Sequence, residues 1–148
     1  MKRLLMALWA AAFVLVWAGV SFALDPVFTG GGNDAIRGYD PVAYFTKGRP
    51  VRGNVNYTHE WNGVRWRFSS QENRDRFASD PKAYAPQYGG YCAWAVSQGY
   101  TASTVPEAWS IHKGKLYLNY SKGVRRQWER NKDRNIRKGD KNWLNLLK

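Results

Sequence analysis

Residues 54–68 constrain the fold more than any other stretch of this chain. Val55, Tyr57, His59 and Trp61 alternate with Asn54, Asn56, Thr58 and Glu60. Asn62-Gly63 follows, the pair preferred where both residues of a tight turn need positive φ. Val64, Trp66 and Phe68 then alternate with Arg65 and Arg67. A side-chain period of two predicts two strands with one apolar face, joined as an antiparallel hairpin. The period puts His59 on the apolar face and turns Arg65 and Arg67 outward.

Short helices are predicted around this hairpin. Asp40-Pro41 has an N-cap residue followed by proline at the first helical position, so a short turn over 42–45 should follow. Ser69 with Glu72 three residues on reads as a capping box opening a helix from about 70 to 78, with Phe77 buried. Asp80-Pro81 starts another short helix through Tyr84, limited by Pro86. Gly89-Gly90 permits positive φ or close backbone approach. Residues 91–96 are apolar and read as a buried helix or strand, and 99–106 as loop. Trp109–His112 and Leu116–Tyr120 flank Lys113-Gly114 as a second hairpin, with Trp109 and Ile111 inward and His112 outward. Ser121 can cap a basic helix carrying Val124, Trp128 and Ile136 on one side. A last short helix is expected over 140–147. Residues 24–36 read as an irregular lead-in, flexible at Gly30-Gly31-Gly32. The fold class is therefore α+β: a small antiparallel sheet of β-hairpins with several short surrounding helices.

The first residues read as an export signal. Lys2 and Arg3 precede an uncharged apolar run over 4–20, and Ser21-Phe22-Ala23 has small residues at the −3 and −1 positions of a cleavage site. The run is short for a spanning helix, which needs about 20 apolar residues, so cleavage after Ala23 is expected over anchoring. Signal peptide 1–23 leaves one domain, 24–148, periplasmic or secreted. The chain's formal charge is +12, and losing Lys2 and Arg3 leaves +10. Much of that charge lies near the end, from Lys122 to Lys141. A basic surface suits an acidic protein or an anionic membrane surface, and export argues against nucleic acid.

Cys92 is the only cysteine. It cannot close an internal disulfide. It is a buried small hydrophobe, an intermolecular link, or a reactive or metal-binding thiol. Both methionines, Met1 and Met6, lie in the leader, so the remaining chain holds no thioether ligand.

Four segments carry a family resemblance: Gly38-Tyr39-Asp40-Pro41-Val42-Ala43-Tyr44-Phe45, residues 66–74, Asp80-Pro81-Lys82-Ala83-Tyr84, and Tyr88-Gly89-Gly90-Tyr91-Cys92-Ala93. Together, in this order over about 36–147, they resemble the YHS domain family, in its exported single-domain branch. The resemblance implies an association with metal handling, through cysteines. This chain departs from that pattern at each position. Ala43, Ser69 and Asn73 stand where the family's cysteines would be, and Tyr44-Phe45 replaces its Gly-Met. The inherited site is expected to be absent, because a structural zinc site needs about four ligands, usually thiolates.

Any metal site would be newly built. Cys92 with His59 suits a copper or zinc ion, copper first, and His112 is a further surface candidate. Tyr39, Asp40, Tyr44, Tyr88 and Tyr91 form a polar and aromatic set around a candidate ligand pocket. No nucleophile signature surrounds Cys92, so a thiol-dependent enzyme is the weakest of three readings. The leading expectation is a periplasmic metal-associated binding protein. The alternative is a non-metal ligand- or protein-interaction module on a YHS scaffold that has lost the family cysteines.

Overall fold

The computed structural model describes Gly19 and residues 22–148. The expected signal peptide therefore lies outside the described residues except at Gly19, Phe22 and Ala23. Six α-helices and four strands follow in chain order. They are α1 (Pro41–Thr46), β1 (Asn54–Trp61), β2 (Val64–Phe68), α2 (Gln71–Ser79), α3 (Pro81–Tyr84), α4 (Ala93–Ser97), β3 (Trp109–His112), β4 (Lys115–Leu118), α5 (Lys122–Glu129) and α6 (Lys132–Leu146). Single 3-10 turns span Ala35–Gly38 and Gln87–Gly90. The fold is α+β, with two antiparallel two-stranded sheets, β1–β2 and β3–β4. No helix among the described residues is long and apolar enough to cross a membrane.

The first hairpin forms as its pattern dictates. Asn62 (φ 53°) and Gly63 (φ 76°) make the turn, and His59 pairs with Trp66. An irregularity between Asn54 and Thr58 breaks the register. Val55 falls within it and is 64% exposed, so it does not share the apolar face as its parity suggested. The outer face is not solvent either. Asp34, in the lead-in, bridges to Arg65 in the ladder and pairs with both Arg65 and Arg67. The lead-in is structural: Val27, Phe28, Ala35 and Ile36 are all buried.

Two apolar clusters form the core. The first gathers Ile36, Val42, Tyr44, Trp66, Phe68 and Phe77 with Leu116 and Leu118. The second holds Tyr88, Ala93, Val96, Tyr117 and Trp128. β4 divides them, because its alternation sends Leu116 and Leu118 one way and Tyr117 the other. Among the described residues, both clusters and their packed neighbours lie within residues 27–146.

The second hairpin corrects the expected facing of its side chains. Ile111 pairs with Leu116 but sits on an edge strand and is 37% exposed. The other face of β3 is covered by α5 and α6. Ser110 donates to Glu129, and His112 contacts Asp133 at 3.0 Å, so His112 does not face solvent freely. The helices also divide differently from expectation. α6 runs unbroken through 140, and the break falls at Arg130-Asn131.

Candidate functional site

Among the described residues, Asp40 accepts more hydrogen bonds than any other buried side chain. It is fully buried and caps α1. Oδ1 accepts from the Val42 and Ala43 N–H groups at 2.8 and 3.2 Å. Oδ2 accepts from the Ser69 N–H at 2.8 Å, the Ser69 hydroxyl at 2.6 Å and Asn73 Nδ2 at 2.8 Å. A carboxylate offers about four lone-pair sites. Five donors consume them. Ser69 is therefore not the cap of α2, as the Ser69–Glu72 spacing suggested. Ser70 takes that place and accepts from the Asn73 N–H at 3.1 Å. Ala43, Ser69 and Asn73 all meet at this carboxylate.

Cys92 is 1% exposed and sits at the N-cap of α4. Its Sγ donates to Asn119 Oδ1 at 3.5 Å and accepts from the Tyr120 N–H at 3.3 Å. Asn119 Oδ1 also accepts from the Trp94 N–H at 2.9 Å, so the thiol is one member of a link between α4 and the end of β4. Burial pushes the thiol's pKa up, and neighbouring backbone N–H groups oppose this only in part. A nucleophilic cysteine needs the reverse.

The two histidines stand apart in role and surroundings. His59 packs edge-on against Phe77, with ring centres 6.2 Å apart. His112 is held against Asp133, which Lys113 also contacts at 3.3 Å. These contacts pull the Asp133 carboxyl below its usual range. Among the described residues no group of three or more His, Cys, Asp or Glu side chains is placed to hold a metal ion.

The tyrosines of the expected pocket are distributed around the fold. Tyr44 is buried against Trp109 and donates to the Pro106 carbonyl at 3.0 Å. Tyr39 is half-buried under the Arg52 guanidinium. Tyr91 donates to the Asp25 carbonyl. Tyr88 reaches α6 and donates to Asp140 Oδ1 at 2.9 Å. Asp40 is enclosed, and of this set Tyr88 lines an open apolar groove.

That groove, of about 510 Å³, runs between the first hairpin, the Gln87–Gly90 turn and α6. Trp61, Trp143, Leu144 and Leu147 form apolar walls, with Pro26 and Val27 of the lead-in on one side. Lys82 and Lys115 line it too. A second basin of about 510 Å³, holding His112, Lys113 and Arg137, adjoins it, and the two share Gln87, Lys115 and Asp140. Sequence reading missed the groove, because its walls come from segments more than a hundred residues apart.

α6 is sorted by charge. Asp140 accepts from Tyr88 and Asp133 is held by His112 and Lys113, so both acids are bonded toward the body. Arg134, Arg137, Lys138 and Lys141 are exposed, and among the described residues none is in an ion pair. Spacings of three and four put them on one face. Leu144, 66% exposed, follows them on it. Comparison with protein-family models, curated proteins and solved structures found no match to this chain.

Proposed function

We propose that this chain is an exported, non-metal interaction module that docks on an anionic membrane surface through the outward face of α6. The observation that carries this reading is the charge sorting of α6. Four cations, Arg134, Arg137, Lys138 and Lys141, in no ion pair among the described residues, span roughly 10 Å of one face at 1.5 Å per residue. Each contributes about 1 kcal/mol near an anionic leaflet, enough together for measurable binding. Leu144 adds an apolar contact within the same stripe. The lead-in residues Pro26 and Val27 share a groove with Leu144 and Leu147, so the chain enters the fold beside this end of α6. A flat surface that follows an extended stripe fits this arrangement better than an acidic protein does.

Two further observations favour the non-metal reading over a copper or zinc site. The Asp40 cluster spends its acceptors on Ser69, Asn73 and backbone donors. Cys92 is spent on Asn119 and Tyr120. The scaffold that resembles the YHS family would then serve as a support for α6.

Vesicle sedimentation with residues 24–148 tests the proposal. Binding to vesicles containing phosphatidylglycerol, falling with added salt and lost in Arg134→Glu/Lys138→Glu/Lys141→Glu, is expected. Pure phosphatidylcholine should not bind. Equal binding by parent and triple variant refutes the proposal. So does one equivalent of copper or zinc bound by the parent and lost in Cys92→Ser, which restores the metal reading.

A further inference from the structure

We infer that the groove between the first hairpin and the end of α6 is a binding site for an amphiphilic carboxylate, an apolar chain with one anionic end. Its size falls within the range of small-molecule sites. Its walls are aromatic and aliphatic, from Trp61, Trp143 and Leu147. Leu147 is 39% exposed and Leu144 66%, so apolar surface stands open to water along one side. An apolar body laid there removes it from water, the dominant favourable term in such binding.

Charge selects the other end of the ligand. Lys82 and Lys115 both line the groove, both are exposed, and neither is in an ion pair among the described residues. Asp140 is the one acid in the lining, and the Tyr88 hydroxyl donates to it at 2.9 Å. Two free ammonium groups against one hydrogen-bonded carboxylate favour an anion over a cation or a neutral head. Lys115 also borders the adjoining basin, where Asp133 holds Lys113 and Arg137 is a further cation in no ion pair among the described residues.

This site adjoins the outward face of α6, with Leu144 at the border of both, and its test has a separate readout. Residues 24–148 are titrated with octanoate below its micellar concentration, beside octanol and octylamine. Calorimetry gives stoichiometry, and tryptophan fluorescence is compared between the parent and Trp143→Phe. Octanoate should bind saturably at one equivalent and perturb Trp143 emission. Lys82→Met/Lys115→Met should weaken octanoate at least about tenfold, one pair of charge contacts' worth, and leave octanol unchanged. No saturable octanoate binding overturns the inference. Octanoate affinity unchanged in the double variant overturns it too, as does tighter binding of octylamine. Vesicle binding by the parent can succeed or fail independently of each of these outcomes.

Discussion

Asn73 Nδ2 and Asp40 Oδ2 meet at 2.8 Å across thirty-three residues of chain. That bond ties the start of α2 to the start of α1, and Ser69 adds two more at the same oxygen. The carboxylate thus joins two helices and the end of the first hairpin. Replacing Asp40 with Ala removes the α1 cap and strands the buried donors of Ser69 and Asn73. The expected loss is roughly 3–5 kcal/mol, the sum of a lost cap and unsatisfied buried donors. Urea denaturation should show it as a lower midpoint with an unchanged slope. A loss under about 1 kcal/mol would mean that the donors find other partners.

Gly139 makes an opposite-sign pair with Gly123. Both lie within helices, where Ala is favoured over Gly by about 1 kcal/mol. A Cβ on Gly139 would stand 2.5 Å from the Tyr88 hydroxyl, whereas one on Gly123 meets nothing closer than 3.7 Å. Gly139→Ala should therefore destabilise by about 1–3 kcal/mol through overpacking, and Gly123→Ala should stabilise by up to about 1 kcal/mol. Thermal melts of the two variants check the sign of each.

The Cys92 thiol should react slowly with iodoacetamide at neutral pH in the folded protein, because it is enclosed and its pKa is raised. Denaturing urea should release the reaction. Fast alkylation of the native protein, followed by mass spectrometry, would contradict the buried geometry.

Tyr44, Tyr88 and Tyr117 should resist ionisation together. Burial is the main cause for all three, reinforced by Glu107 at Tyr44 and by Asp140 at the other two, and Tyr117 is pushed up to about 12. Their folded pKa values lie above the unfolded value near 10. The stability they contribute is fully present below about pH 10 and is lost as pH rises toward the folded values. Absorbance at 295 nm should show these three of the nine tyrosines titrating only as the protein unfolds. Smooth ionisation of all nine before any loss of structure would be the contrary result.

Local rules carried much of this protein's architecture. Period-two alternation and Asn62-Gly63 specified the first hairpin, and Asp40-Pro41 and Ser121 marked helix starts, because each depends on neighbours a few residues away. The basic character of the last helices was equally legible. Other features depended on what packs against what. Ser69 and Ser70 are equivalent caps on paper, and only the position of Asp40 decides that Ser69 turns to it while Ser70 caps α2. Arg65, Arg67 and His112 lie on outward strand faces, but Asp34 and Asp133 arrive from distant segments to cover them. Val27 and Ile36 look like loop residues until the core closes over them. The groove joins Pro26 to Leu147, and periodicity carries no information about such a pairing. Sequence by itself determined the elements and their charge, since these follow from local backbone preference and composition. Tertiary structure alone decided which polar groups are spent inside the fold and which stay free to bind, because burial and hydrogen-bond partners exist only once distant segments meet.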